Sequence, residues 1–132
     1  MNAAGDAPSK PVLLYDADCG FCKWSLNLVL RWDRDERVRP APIESPEGER
    51  LLEGMPREKR LESWHLVLPS GEVLSAGNAA APLARLLPGG RPLAALFERA
   101  PGLTDRAYFA VARNRSRLAK LLRIDPDHPV RR

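Results

Sequence analysis

A short apolar run that leads directly into two closely spaced cysteines is the feature that most limits how this chain can fold. Residues 11–15 (PVLLY) fit a buried strand, and residues 16–18 (DAD) fit the polar turn that ends it. Apolar side chains then recur with helical spacing from residue 20 to residue 33. The pattern predicts a strand–turn–helix unit that places Cys19 and Cys22 in the first turn of the helix.

The rest of the chain alternates between strand and helix patterns. In chain order we expect an extended segment whose prolines indicate irregularity or a free sheet edge, a polar stretch that is helical in pieces, a hairpin and three helices. These are residues 37–43, 47–60, 64–74, 77–88, 92–100 and 104–123. Thr104 is expected to cap the last helix. Strands joined through a helix are parallel and hairpin strands are antiparallel. The order β-α-β-α-β-β-α therefore predicts an α/β, thioredoxin-like fold with a four-stranded mixed sheet and additional C-terminal helices.

The length of 132 residues and a hydrophobic content of 44% are typical of one folded domain. We expect a flexible N-terminal segment over residues 1–10, a single domain over 11–123 and a C-terminal tail over 124–132. The first ten residues contain no apolar signal region, and no apolar run reaches the length of a membrane span. These features predict a cytoplasmic protein that does not associate with membranes.

The basic charge balance raises the question of nucleic-acid binding. The formal net charge is +4, and basic surface attracts phosphate. The arginines are spread along the chain, however, and the aromatic content of 6% provides no stacking platform for single strands. Nucleic acid is therefore an unlikely partner.

The predicted position of the cysteine pair favours redox chemistry. At positions i and i+3 of a first helical turn, both sulfurs project to one side at a separation that suits a disulfide. Unpaired N–H groups and the helix dipole favour an anion there, so a thiol at this place has a lowered pKa. We expect Cys19 to be the attacking thiol and Cys22 the more sheltered resolving thiol. A dithiol–disulfide cycle of this kind needs no cofactor.

Other interpretations of the pair remain open at this stage. A structural zinc site normally has four protein ligands, whereas this chain has no second cysteine pair, and His65 and His128 are far apart in sequence. A metal shared by Cys19 and Cys22 across a dimer is still possible. Two inert core cysteines are a further alternative. The protein could also be a non-catalytic thioredoxin-like binding module that acts through its basic C-terminal helix.

Three charged residues are candidates for supporting the thiols. Asp18 is placed to cap the helix, and Asp16 could either accept the proton of Cys22 or bond to N–H groups of its own turn. Arg115 falls within the apolar face of the last helix, where a charge should be paired or reach solvent. We expect it to pair with Asp16 or Asp18, with a place at the domain rim or against a partner subunit as the alternative. Trp64 or His65 could line a substrate groove, with packing in the core as the alternative.

Residues 15–22 (YDADCGFC) resemble the signature of the DCC family of thiol-disulfide oxidoreductases, which is named for its Asp-Cys-Cys motif. Residues 71–79 (GEVLSAGNA) and 108–115 (YFAVARNR) resemble two further segments of that family. The similarity extends over about residues 12–118.

The resemblance implies a thioredoxin-like fold and exchange with a thiol or disulfide, either a protein or a small thiol such as glutathione. Thioredoxins carry a cis-proline just before the third strand, where it helps to hold peptide substrates. The corresponding residues 61–63 (LES) contain no proline. The resemblance therefore leaves open how a substrate is held.

Overall fold

The structure is a computed structural model, and it describes residues 8–124 and residue 130. The two segments that we expect to flank the domain, 1–10 and 124–132, lie mostly outside the described residues. Within the described part of the chain, no helix is long and apolar enough to cross a membrane.

Four short strands form one mixed sheet in the order β2-β1-β3-β4. The strands are β1 (Val12–Tyr15), β2 (Arg39–Pro42), β3 (His65–Val67) and β4 (Val73–Ser75). β1 pairs with β2 in parallel and with β3 in antiparallel fashion, and β3 and β4 form the antiparallel hairpin. The predicted α/β, thioredoxin-like arrangement of a four-stranded mixed sheet is confirmed.

The strand β2 lies at one edge of this sheet. At the two ends of its pairing with β1, the Arg39 N–H donates to the Pro11 carbonyl at 2.9 Å and the Ile43 N–H donates to the Tyr15 carbonyl at 2.8 Å. Donors that point toward β1 therefore alternate with Pro40 and Pro42, which have no N–H. This alternation is how a strand with two prolines can still pair on one side.

The helices cover the sheet in several short pieces. They are α1 (Gly20–Trp32), α2 (Pro46–Leu51), α3 (Arg57–Arg60), α4 (Ala80–Leu86), α5 (Arg91–Arg99), α6 (Pro101–Arg113) and α7 (Arg115–Leu121), with a 3₁₀ turn over Ala76–Ala79 before α4.

The single C-terminal helix predicted from residue 104 to residue 123 is wrong in two respects. It begins earlier, at Pro101, because a proline suits the first turn of a helix. Thr104 lies within that turn, where its hydroxyl donates to the Ala100 carbonyl at 2.8 Å rather than capping the end. The helix is also interrupted at Asn114, which separates α6 from α7.

Buried side chains fill both faces of the sheet. On one face, Leu13 and Leu66 pack with residues of α1 and α4, among them Leu26 and Leu83. On the other face lies a second cluster: Val12, Leu14, Ala41, Ile43, Leu52 and Val67. Because successive strand residues point to opposite faces, β1 must be apolar at every position, as its sequence is.

A close backbone approach fixes the C-terminal helices against the domain. The Gly77 N–H donates to Asp105 Oδ1 at 3.1 Å, and a Cβ on Gly77 would lie only 2.4 Å from the Asp105 Cα. Glycine is therefore required where α6 crosses the 3₁₀ turn. The same packing brings α7 against α1, next to the cysteine pair.

Candidate active site

The loop between β1 and α1 presents the two cysteines. Asp16 organises this loop, since its Oδ1 accepts the Asp18 N–H at 3.0 Å and its carbonyl accepts the Cys19 N–H at 3.2 Å. Cys19 is itself the N-cap residue of α1, and its Sγ accepts the Cys22 N–H at 3.3 Å.

The predicted cap by Asp18 is therefore wrong. The turn held by Asp16 leaves the Asp18 side chain exposed, and the helix begins one residue later than a cap at Asp18 requires. Asp16 does bond within its own turn, as one of the two expected roles requires.

The two thiols are free and half-buried, and they differ strongly in acidity. The pKa of Cys19 is lowered to about 6, mainly because the Cys22 thiol donates a hydrogen bond to its sulfur. The Cys22 backbone N–H and the Arg115 cation lower it further, whereas burial and the Asp16 charge act against them. The pKa of Cys22 is raised by the same hydrogen bond to Cys19, by burial and by the neighbouring thiolate. At neutral pH the site thus holds one thiolate and one thiol.

Arg115 reaches this pair from the first residue of α7. Its Nη1 lies 3.7 Å from the Cys22 Sγ, and the residue is half-buried. Among the described residues it forms no ion pair with Asp16 or Asp18, so the expected pairing is not found. The reason is that α7 packs on α1, which carries Cys22, while Asp16 turns its carboxylate into its own loop.

Trp64 and His65 are adjacent in sequence but have different surroundings. The Trp64 backbone N–H donates to the Tyr108 hydroxyl at 2.9 Å, and the two rings are 5.5 Å apart. His65 is buried in the sheet, where its Nδ1 lies 2.6 Å from Ser75 Oγ and its Nε2 lies 2.8 Å from the Arg60 carbonyl. Burial lowers the pKa of His65. Trp64 thus faces the site and His65 belongs to the core.

Tyr108 was not among the site residues predicted from sequence. Burial raises its pKa to about 12, so the hydroxyl keeps its proton at neutral pH. Its bond to Trp64 connects α6 to the start of β3, 44 residues earlier in the chain. An aromatic residue on an amphipathic helix gives no sequence signal for such a partner.

An apolar cavity of about 460 Å³ adjoins the cysteine pair. It lies between α1 and the C-terminal helices and reaches the site at Cys22, Asp16 and Arg115. Cys19 is not part of its wall. No pattern in the sequence indicates this cavity.

Metal ligation was one of the open alternatives. Within the described ranges, no group of three or more His, Cys, Asp or Glu side chains is placed to hold a metal ion.

The fold and the site together define a thioredoxin-like α/β protein with a Cys-x-x-Cys pair at a helix N-terminus. The chain belongs to the DCC1-like thiol-disulfide oxidoreductase family, whose sequence profile matches residues 13–121. It is 30% identical over 107 residues to the Bacillus subtilis (strain 168) protein described as "Uncharacterized protein YuxK", which covers 79% of this chain and 77% of that protein. No solved structure matches the chain significantly. The predicted resemblance to this family is confirmed.

Proposed function

We propose that this protein is a thiol-disulfide oxidoreductase that cycles Cys19 and Cys22 between dithiol and disulfide. The observation that carries the proposal is the division of acidity within one helical turn. A thiolate at Cys19 can attack at neutral pH, while Cys22 keeps its proton until it is needed. Membership of the family supports the same chemistry.

Reduction of a substrate disulfide R–S–S–R′ takes two displacements. The Cys19 thiolate attacks one sulfur, forms the mixed disulfide Cys19–S–S–R and releases R′S⁻. Cys22 then gives up its proton and attacks the Cys19 Sγ, which forms the intramolecular disulfide and releases RS⁻. Two electrons pass from the dithiol to the substrate, and the reverse sequence oxidises a dithiol.

Two neighbouring side chains would assist the second displacement. Asp16 lines the cavity beside Cys22 and would accept its proton as a general base. Arg115, 3.7 Å from the Cys22 Sγ, would stabilise the thiolate that results. Asp18 is exposed and would contribute only through its charge.

The substrate would be a protein or small-molecule thiol or disulfide such as glutathione. The described peptide bonds contain no cis linkage, and the Trp64 N–H at the start of β3 is already bonded to Tyr108. That N–H would have to leave Tyr108 before it could bind the backbone of an extended peptide. Access to Cys19 itself does not depend on it.

A redox titration against glutathione tests the proposal. The full chain and its Cys19→Ser and Cys22→Ser variants are equilibrated in glutathione buffers, trapped with acid and analysed by mass spectrometry. We expect a reversible two-electron transition in the unmodified chain, an accumulating glutathione adduct at Cys19 in Cys22→Ser, and little adduct in Cys19→Ser. A pair that never forms its disulfide, or adduct formation that is faster at Cys22, would contradict the proposal.

A further inference from the structure

The cavity beside the cysteine pair is lined almost entirely by apolar and aromatic side chains. Its volume of about 460 Å³ lies within the ordinary range for small-molecule sites, roughly 300–1,000 Å³. Five helices (α1, α4, α5, α6 and α7) and the segment just before β3 contribute to its described wall, which includes Phe21, Val29, Trp32, Leu87, Phe97 and Val111. Leu13 and Tyr15 of β1 line it from the sheet, and the hydrogen-bonded Trp64 and Tyr108 are also part of its wall.

Among the described residues the wall carries the hydroxyl groups of Tyr15, Ser25, Ser63, Thr104 and Tyr108, and some of these bond within the protein. Tyr108 accepts the Trp64 N–H at 2.9 Å, and Thr104 donates to the Ala100 carbonyl at 2.8 Å. A ligand in the middle of the cavity would therefore meet mainly carbon. This lining favours a compound with an aromatic or otherwise apolar body.

The polar end of the cavity determines the charge that a ligand should carry. Of the residues that the structure describes, Asp16 and Arg115 are the charged ones in the cavity wall, and the Cys19 thiolate lies close by. An anionic ligand would face Asp16 and the thiolate, and a cationic ligand would face Arg115. Because burial of an unpaired charge is costly, a neutral ligand fits this end best.

Arg115 offers hydrogen-bond donors to such a ligand. A guanidinium carries five N–H donors. Within the described part of the chain, Arg115 donates one hydrogen bond, from Nη1 to the Cys22 Sγ. Arg115 is half-buried and lines the end of an apolar space, so the donors that Cys22 does not use are accessible to a ligand in the cavity. A carbonyl oxygen on the ligand would satisfy one of them.

The cavity is also separate from the position of a disulfide substrate. In the second displacement, Cys22 attacks Cys19 Sγ in line with the bond that breaks, so the leaving sulfur lies on the side of Cys19 away from Cys22. The cavity begins at Cys22 and does not include Cys19. A ligand there would not occupy the place of the attacked disulfide.

We propose that this cavity binds a neutral, lipophilic small molecule with an aromatic body and a hydrogen-bond-accepting oxygen that lies at Arg115. Binding does not require Cys19 and Cys22 to cycle. It can therefore succeed if the glutathione titration fails, and it can fail if that titration succeeds.

Three probes of similar size separate the contributions of body, acceptor and charge. The reduced full chain is dialysed at pH 7 against 2-acetylnaphthalene, 2-isopropylnaphthalene and 2-naphthoate, and bound probe is measured at equilibrium. We expect 2-acetylnaphthalene to bind about tenfold more tightly than 2-isopropylnaphthalene, since a hydrogen bond to a charged group contributes an effect of that order. The naphthoate anion should bind more weakly than the ketone.

Two variants with matched controls locate the site. Arg115→Met should abolish the advantage of the ketone over the hydrocarbon, whereas Arg113→Met, at an exposed neighbour, should preserve it. Ala112→Phe, which fills the cavity, should reduce binding of both neutral probes at least tenfold, whereas Ala95→Phe on the exposed face of α5 should not.

Several outcomes would overturn the proposal. These are no binding up to the solubility limit, equal affinity for ketone and hydrocarbon, tighter binding of the anion, or binding unaffected by Ala112→Phe. Binding that appears only after removal of residues 125–132 would also overturn it, because that segment would then be the occupant.

Discussion

Cys19 and Cys22 are the same chemical group in one helical turn, yet their environments set different acidities. Cys19 receives two hydrogen bonds, from the thiol and from the backbone N–H of Cys22. Cys22 lies deeper in the fold, where its thiol donates to Cys19 and its sulfur accepts from Arg115 Nη1 at 3.7 Å. The difference arises mainly because the Cys22 thiol donates to the Cys19 sulfur, and the free backbone N–H in the first turn of the helix adds to it.

Removing the thiol donor should raise the pKa of Cys19. In Cys22→Ala the largest cause of the lowered pKa is lost, and we expect the pKa to move from about 6 toward the ordinary value of roughly 8.5. In the matched variant Cys22→Ser a hydroxyl can still donate, so the rise should be smaller. The pH dependence of Cys19 alkylation by iodoacetamide measures both. Equal midpoints for Cys22→Ala and the unmodified chain would show that the hydrogen bond is not the cause.

Asp16 provides a separate test of the second displacement. Asp16→Asn should slow release of glutathione from the Cys19 mixed disulfide by at least about tenfold, because the group that accepts the Cys22 proton is lost. Alkylation of Cys19 should not slow, since the Asp16 charge opposes thiolate formation. Stopped-flow measurement of glutathione release checks the rate, with Asp18→Asn as the control. If Asp16→Asn releases glutathione at the unmodified rate, Asp16 is not the general base, and its role is limited to its hydrogen bond with the Asp18 N–H.

Sequence reasoning found the cysteine pair and the neighbours of the site, but not all of their contacts. The place of Arg115 on the inner face of a helix could be inferred from periodicity. Its contact with Cys22 could not, because this depends on how α7 meets α1. Aspartate is a common N-cap residue, so the sequence favours Asp18 as the cap. In the structure the Asp18 N–H bonds to Asp16 Oδ1, and the N-cap is Cys19, one residue later.

At the scale of elements, the crossing of α6 over the 3₁₀ turn offers a direct test of packing. Gly77→Ala would place a Cβ 2.4 Å from the Asp105 Cα, and the helix would have to move away. We expect the free energy of unfolding to fall by about 1–3 kcal/mol, as overpacking typically costs. Because Tyr108 and Arg115 follow on α6 and α7, the pKa of Cys19 should rise as well.

Gly102→Ala is the control for this change. Nothing lies within 4 Å of the position that its Cβ would take, and Gly102 is in the first turn of α6. Urea unfolding should show a free energy that is unchanged or higher by up to about 1 kcal/mol, since alanine favours the helix. Equal stability of the two variants would mean that α6 adjusts without cost.

The pairing of the strands could be predicted, whereas the helix boundaries at the C-terminus could not. Chain order and the hairpin pattern are local signals that determine which strands are parallel. The interruption at Asn114 has no comparable signal, because the residues on both sides favour helix. The helix is interrupted because α6 packs on the 3₁₀ turn whereas α7 packs on α1.

At the scale of the whole molecule, the acidity of Cys19 links stability to redox state. Its folded pKa of about 6 lies below the ordinary thiol value of roughly 8.5 expected in the unfolded chain, so ionisation stabilises the folded dithiol fully above that unfolded pKa. This stabilisation is lost as the pH falls through about 6. The disulfide form has no such thiol. The stability of the reduced protein relative to the oxidised protein should therefore increase from pH 6 to about pH 8.5.

Thermal unfolding of both redox forms across this range measures the difference. Other titrating groups are common to both forms and largely cancel. The reduced Cys19→Ser variant should follow the pH dependence of the oxidised chain. A constant difference between reduced and oxidised protein would show that the folded thiolate gains no stabilisation. Above about pH 9 the raised pKa of Cys22 acts in the opposite direction, so the comparison ends below that value.

The global architecture was accessible from sequence because both faces of β1 are buried and its apolar run is continuous. The cavity was not accessible. Its wall combines side chains from distant segments, such as Phe21 and Phe97, and its volume depends on the angles at which the helices cross. Such angles are set by tertiary packing rather than by any local pattern.

The two prolines of β2 also affect how copies of the molecule meet. Arg39 and Ile43 direct their N–H groups toward β1, so Pro40 and Pro42 occupy the positions that face outward along the open edge. At Pro40 and Pro42 the edge has carbonyl acceptors but no N–H donors. A strand from a second molecule could therefore form only about half of the hydrogen bonds of a normal sheet pairing. The edge is thereby protected against the intermolecular strand addition that leads to aggregation.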